Sequence, residues 1–98
     1  MLGTYYHATP YKNLESILDQ GILRGYDGVV YLAKTKEDAV KFIAIRFEKD
    51  ILVCEVQLNE ANIKESFDHN ESFFKCKAYM YDEDINLFEI TNAWRYKL

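Results

Sequence analysis

The chain is poor in the residues that mark several protein classes. One proline and four glycines in 98 residues exclude a collagen-like repeat, a linker-dominated chain and a disordered tail. Two cysteines, Cys54 and Cys76, are too few for a disulfide framework and read as reduced core thiols. The longest apolar runs, such as residues 51–54, fall far below the ~18 residues of a membrane span. The first seven residues lack the basic start and apolar core of a secretory signal. A cytoplasmic protein with no membrane partner is expected. Only three arginines occur, Arg24, Arg46 and Arg95, and 16 acidic residues against 12 basic ones leave a net charge of −4. That balance argues against nucleic acid as a partner, because a phosphate-binding stripe needs clustered cations.

What is present is a globular composition, 49% hydrophobic and 29% charged, in a chain of one-domain length. A single domain over residues 1–98 is expected. Eight tyrosines stand out, a residue that stiffens small cores and also lines pockets for planar ligands.

The pattern along the chain predicts a strand over residues 4–8. A helix follows, with Thr9 as its N-cap, Pro10 in its first turn, Leu14, Ile17 and Leu18 on one face, and Gly21 as its C-cap. Residues 24–28 read as a loop and residues 29–33 as a short buried strand. Thr35 and Asp38 resemble a capping pair for a second helix over roughly residues 36–48. The period then changes to two: Leu52, Cys54, Val56 and Leu58 alternate with Val53, Glu55 and Gln57. Residues 59–71 read as an acidic, solvated connection with room for a turn of helix. Further strands are predicted over residues 73–81, 85–90 and 93–97, the last able to form an exposed edge. The order β-α-β-α-β-β-β-β, with helices early and strands late, implies an α+β fold with a largely antiparallel sheet.

Few motifs carry chemistry by themselves. His7, His69, Cys54 and Cys76 show no ligand-like spacing, so no metal is expected. A Cys/His nucleophilic pair is formally available, but both cysteines sit in strand-like patterns where a thiol is an inert apolar residue. The glycine loop at residues 25–28 matches neither phosphate-cradling pattern.

The ordered set of features says more. A strand ends in His7-Ala8-Thr9; a helix with Leu14, Ile17 and Leu18 leads to Gly21-Ile22; a glycine loop precedes Val29-Val30-Tyr31-Leu32-Ala33; a helix bears Ala39 and Phe42. This succession resembles the ADP-ribosyltransferase fold, in its His-Tyr-Glu branch, which includes diphtheria-type toxins, poly(ADP-ribose) polymerases and RNA 2′-phosphotransferases. The resemblance implies a small domain with two early helices packed on a split, largely antiparallel β-sheet. It implies NAD as substrate or ligand, with His7 on the ribose, Thr9 beside it and the Tyr31 ring against nicotinamide. The chain departs from the family where its catalytic glutamate should stand: Lys77-Ala78-Tyr79-Met80-Tyr81 puts Lys77 there. A cation cannot stabilise an oxocarbenium-like transition state. Glu83, of the same strand parity, and Glu55, on a neighbouring strand, are the candidate replacements, with Lys77 retained as a ligand contact.

The implied function is binding of NAD or a related ADP-ribosyl nucleotide, with transfer of ADP-ribose to a protein or other macromolecule. The alternative is a catalytically silent binding module on the same fold, or an inhibitor of the phage or mobile-element type acting by protein–protein contact. An RNA 2′-phosphotransferase would need more cations than Arg24 and Arg46 supply. A domain unrelated to the family would leave His7 and Tyr31 facing no common cleft, with the tyrosines as packing residues.

Overall fold

A computed structural model describes residues 1–44, 46, 48–66 and 77–98. The elements are β1 (Leu2–Pro10), α1 (Leu14–Gln20), β2 (Val30–Leu32), α2 (Lys36–Ala44), β3 (Asp50–Asn59), β4 (Ile63–Ser66), β5 (Ala78–Tyr81) and β6 (Ile90–Lys97), with 3₁₀ turns at Tyr11–Asn13, Glu60–Asn62 and Leu87–Glu89. The result is an α+β domain of two helices and two small antiparallel sheets, ordered β1-β3-β6 and β2-β5-β4. Among the described residues no helix is long and apolar enough to cross a membrane.

The centre of the fold is β3, which is apolar on both faces. Leu52, Cys54, Val56 and Leu58 pack with Tyr5, Ile17, Val30, Leu32 and Ile85 into one core. Ile51 and Val53, on the other face, pack with Ala33 and with Ala39 and Ile43 of α2. A strand sandwiched in this way loses polar alternation, which is why only Glu55 and Gln57 interrupt the pattern. The tyrosines mostly pack. Tyr5 and Tyr81 are buried, Tyr5 meets Tyr79 edge-on at 5.9 Å, and Tyr6 lies 6.3 Å from the Trp94 ring.

Several expected boundaries move. Thr9 and Pro10 do not start a helix. They continue β1, opposite Leu52 and Ile51, and the Thr9 hydroxyl accepts from Asn13 Nδ2 at 2.8 Å instead of capping backbone. The residue before a proline is driven to extended geometry, and a strand end tolerates the missing N–H. Helix α1 therefore begins only after the 3₁₀ turn. Thr35 does cap α2: its Oγ1 accepts the Asp38 N–H at 3.1 Å. The predicted far end of that helix includes residues 45 and 47, which lie outside the described residues.

The acidic connection contains its expected helical turn, Glu60–Asn62, and also a strand that the sequence conceals, Ile63–Ser66. Ile63 is its one large apolar residue, too little to register as a period. The strand predicted over 85–90 does not form. Ile85 makes a single bridge to Ile22, and the Asn86 N–H then donates to the Glu89 carboxylate at 2.9 Å in a 3₁₀ turn. Such local bonds offer the backbone an alternative to a ladder. Of the strand predicted over 73–81, Ala78–Tyr81 is described; Cys76, His69, Asp68 and Glu71 lie outside the described residues.

Gly21 closes α1 with φ 75°, and its N–H donates to the Ile17 carbonyl at 2.8 Å. A Cβ there would fall 2.2 Å from the Ile85 carbonyl oxygen, which is bonded to Ile22. Gly28 also has positive φ, 84°, but its Cβ would meet nothing within 4 Å. Gly28→Ala is therefore expected to cost only the left-handed backbone penalty, about 1–2 kcal/mol, and Gly21→Ala clearly more, because the Ile22–Ile85 bridge must shift. Urea unfolding of the two variants checks this, and equal losses would contradict it.

Candidate functional site

The two sheets meet through one pair of reciprocal backbone bonds. The Tyr6 N–H donates to the Ala33 carbonyl and the Ala33 N–H to the Tyr6 carbonyl, both at 2.9 Å. An antiparallel ladder continued from there would place Ala8 opposite Tyr31 and Thr9 opposite Val30. The pairing instead stops after this single bridge, and β1 and β2 splay apart. His7 sits at the parting. Its Nδ1–H donates to the Tyr31 carbonyl at 2.9 Å, so a side chain satisfies an acceptor that the ladder leaves over.

The opening between the splayed strands is a cleft of about 780 Å³, within the usual range for small-molecule sites. His7, Thr9 and Tyr31 all line it, together with Asn13, Tyr26, Asp27, Phe42 and Arg46. A second hollow of about 250 Å³ shares His7, Thr9, Asn13 and Leu23 and reaches Ile17 and Gly21. The His7–Thr9–Asn13 ridge thus borders two adjoining spaces.

Each contributor is held by an identifiable interaction. His7 is partly buried, and burial lowers its pKa below the ordinary 6.5, opposed by the bond to the Tyr31 carbonyl. A carbonyl partner puts the proton on Nδ1, so the ring is neutral at pH 7 and turns an Nε2 lone pair to other groups. Thr9 is 8% exposed. Tyr31 lies between buried Val30 and Leu32, and its hydroxyl donates to Asp27 Oδ2 at 3.0 Å. The glycine loop closes on itself through Gly25 N–H to Val29 O at 3.0 Å and Gly28 N–H to Gly25 O at 2.9 Å. Its base is tied down by Arg24, whose backbone N–H donates to Asp84 Oδ1 at 2.8 Å. That bond, with the Arg24 guanidinium behind it, holds the Asp84 carboxyl below its usual range.

The candidate carboxylates lie elsewhere. Glu55 is opposite Tyr6, on the other face of the sheet from His7, and accepts from the Tyr6 hydroxyl at 3.0 Å and the Thr91 hydroxyl at 2.8 Å. Glu83 is exposed in the bend after β5, close enough to Tyr81 to add to the rise that burial causes in that phenol's pKa. Lys77 precedes β5, and its ammonium lies 3.2 Å from Glu65 of β4. None of the three lines the cleft.

Cys54 is the cross-strand neighbour of His7 but is 1% exposed, and burial pushes its thiol up to about 11. It holds its proton at neutral pH and supplies no nucleophile. Among the described residues no group of three His, Cys, Asp or Glu side chains is placed to hold a metal ion.

Sequence reasoning passed over Asn13, Tyr26, Asp27 and Arg46 as site residues. Asn13 was hidden by the misplaced helix start. Phe42 lies on α2 and Arg46 just beyond its end, positions ordinarily read as core and solvent edge. The chain matches no protein-family model, and no curated protein matches it.

The neutral histidine has a stability signature. Its folded pKa is lowered, so below pH 6.5 the unfolded chain takes up a proton that the folded chain refuses. Stability is therefore expected to fall as pH drops from 6.5 towards the folded value, with no contribution above that window. Asp50 and Asp84, both lowered from 3.8, act only at more acid pH. Denaturant midpoints from pH 7.5 to 5 check this, as a measurement range within the ordinary histidine span. His7→Gln should flatten the slope, and an unchanged slope would contradict the assignment.

Proposed function

We propose that this protein binds NAD or a related ADP-ribosyl nucleotide in the cleft between β1 and β2, on a fold of the ADP-ribosyltransferase type, and holds the ligand without transferring it. The observation that carries the reading is that His7, Thr9 and Tyr31 line one cleft, with His7 bonded to the Tyr31 backbone. These are the three residues that the resemblance assigns to the ligand, and here they share one opening. The chemistry suits a nucleotide: an imidazole lone pair and a hydroxyl for ribose, and aromatic faces of Tyr31 and Phe42 for a planar base. The single guanidinium of Arg46 suits a diphosphate. A cleft lined by one such cation is a poor holder of RNA.

The preference for binding over transfer rests on the carboxylates. Nicotinamide departure builds positive charge on the ribose, and a transferase needs a carboxylate there to stabilise it and to activate the acceptor. Glu55 is engaged on the opposite face, Glu83 lies in an exposed bend, and position 77 carries an ammonium paired with Glu65. A silent module can act by occupying or sequestering its ligand, or by presenting it to a protein target.

Calorimetry with NAD and ADP-ribose tests the reading, alongside a nicotinamide-release assay. Saturable binding without release is expected. Removing one ligand hydrogen bond or one stacking face is expected to weaken binding about three- to tenfold in His7→Ala and Tyr31→Ala. Glu55→Gln, on the other face, should bind as the parent does. A folded protein that binds neither ligand refutes the nucleotide reading, and label transfer from NAD to a macromolecule refutes silence.

A further inference from the structure

The charges of the cleft are unevenly placed. Among the described residues that line it, Asp27 is the one carboxylate and Arg46 the one guanidinium. They come from different walls, Asp27 from the glycine loop and Arg46 from just beyond α2. Asp27 is joined to the Tyr31 hydroxyl at 3.0 Å, so the carboxylate and an aromatic ring form one unit. Tyr26, the residue before it, is fully exposed and also lines the cleft. Phe42 adds a further aromatic face. Aromatic rings and a carboxylate that line one cleft favour a cation there, because ring quadrupoles and the carboxylate both attract positive charge.

We propose that the Asp27–Tyr31 pair is the charge-reading element of the cleft, selecting a planar cationic ring of the pyridinium class over its neutral counterpart. This rests on the nucleotide reading and narrows it. A ligand with a cationic ring at one end and a phosphate at the other matches a carboxylate on the loop and a guanidinium beyond α2. Loss of the ring's charge removes half of that match. Asp27 also accepts the Val29 N–H at 3.4 Å, so it shapes the loop too. The test therefore has to separate charge from hydrogen bonding. Asp27→Asn does so: its amide oxygen in the Oδ1 place still accepts the Val29 N–H, and its NH2 in the Oδ2 place donates to the Tyr31 hydroxyl oxygen, which accepts as well as donates.

The experiment is calorimetry at low ionic strength with N-methylnicotinamidium, neutral nicotinamide, NAD and ADP-ribose, on the parent and on Asp27→Asn. The parent is expected to prefer the N-methylated cation to nicotinamide. Asp27→Asn is expected to weaken the cation and NAD about three- to fivefold, and to leave nicotinamide and ADP-ribose within about twofold, the loss of one solvated charge pair. Added salt should weaken the cation in the parent and not nicotinamide, a readout that needs no variant. Tyr31→Phe, which keeps ring and carboxylate, should retain the preference. A variant that weakens all four probes alike, or a parent indifferent to methylation, overturns the proposal. NAD and ADP-ribose bound with no dependence on the Asp27 charge overturns it while the nucleotide reading survives. Charge-selective binding of N-methylnicotinamidium with no binding of NAD or ADP-ribose sustains it and refutes the nucleotide reading. Failure to bind any probe overturns both.

Discussion

The reciprocal hydrogen bonds between Tyr6 and Ala33 are the constraint on which the rest of the molecule depends. Each sheet has only three strands, and sheets that small are marginal alone. The bridge joins them edge to edge, and the Ile22–Ile85 bridge, 2.8 Å in both directions, ties the segment after α1 to the segment after β5. The two cores then share walls. Ala33, fully buried beside the first bridge, packs with α2, and Ile85, fully buried in the second, packs under α1. Stopping the ladder after one pair also makes the cleft, because the strands that part there would otherwise be filled by their own hydrogen bonds. Structure and opportunity for binding thus come from the same local event. The cost is a carbonyl on Tyr31 without its ladder donor, and the His7 imidazole meets it.

That arrangement explains why one histidine is both structural and poised. Its Nδ1–H is committed to the backbone, which fixes the tautomer and ring orientation, and burial keeps it neutral. A neutral imidazole in a partly buried wall offers a lone pair of defined direction. Of the two candidate carboxylates that would turn such a site towards bond cleavage, Glu55 is committed to Tyr6 and Thr91, and Glu83 lies in the exposed bend after β5, away from the cleft. Asp27, on the glycine loop, is instead tied to the ring of Tyr31. On the reading proposed above, the chemistry at hand is recognition, with charge as its selective element.

Much of this was legible in the residues, for physical reasons that differ from element to element. The first five elements emerge in the expected order because β3 and α2 carry strong periods, and because Thr35 and Gly21 act as the caps their chemistry implies. Two late strands were misassigned in opposite senses. Ile63–Ser66 has one apolar anchor and is a strand only because β5 lies beside it, and residues 85–90 look strand-like until Asn86 and Glu89 satisfy each other locally. The helix start failed because Thr-Pro is ambiguous between a cap and a strand end, and pairing with β3 decides it. At the site, His7 and Tyr31 stand out only through the resemblance that the ordered set of features carries; strand ends and spacing alone would leave them as a surface histidine and a packing tyrosine. Asp27 does not stand out at all, because an aspartate between glycines is ordinarily a turn former, and only the fold shows that it meets a tyrosine hydroxyl.

The most direct test of the account is a map of amide and side-chain NMR shifts on titration with NAD. The account predicts changes concentrated at His7, Thr9, Tyr31 and Phe42 and along residues 25–28, with Glu55, Thr91 and Glu83 unmoved and the His7 ring remaining the neutral Nδ1–H form. Shifts centred on the β6 edge or on the bend after β5, with His7 and Tyr31 silent, would contradict it.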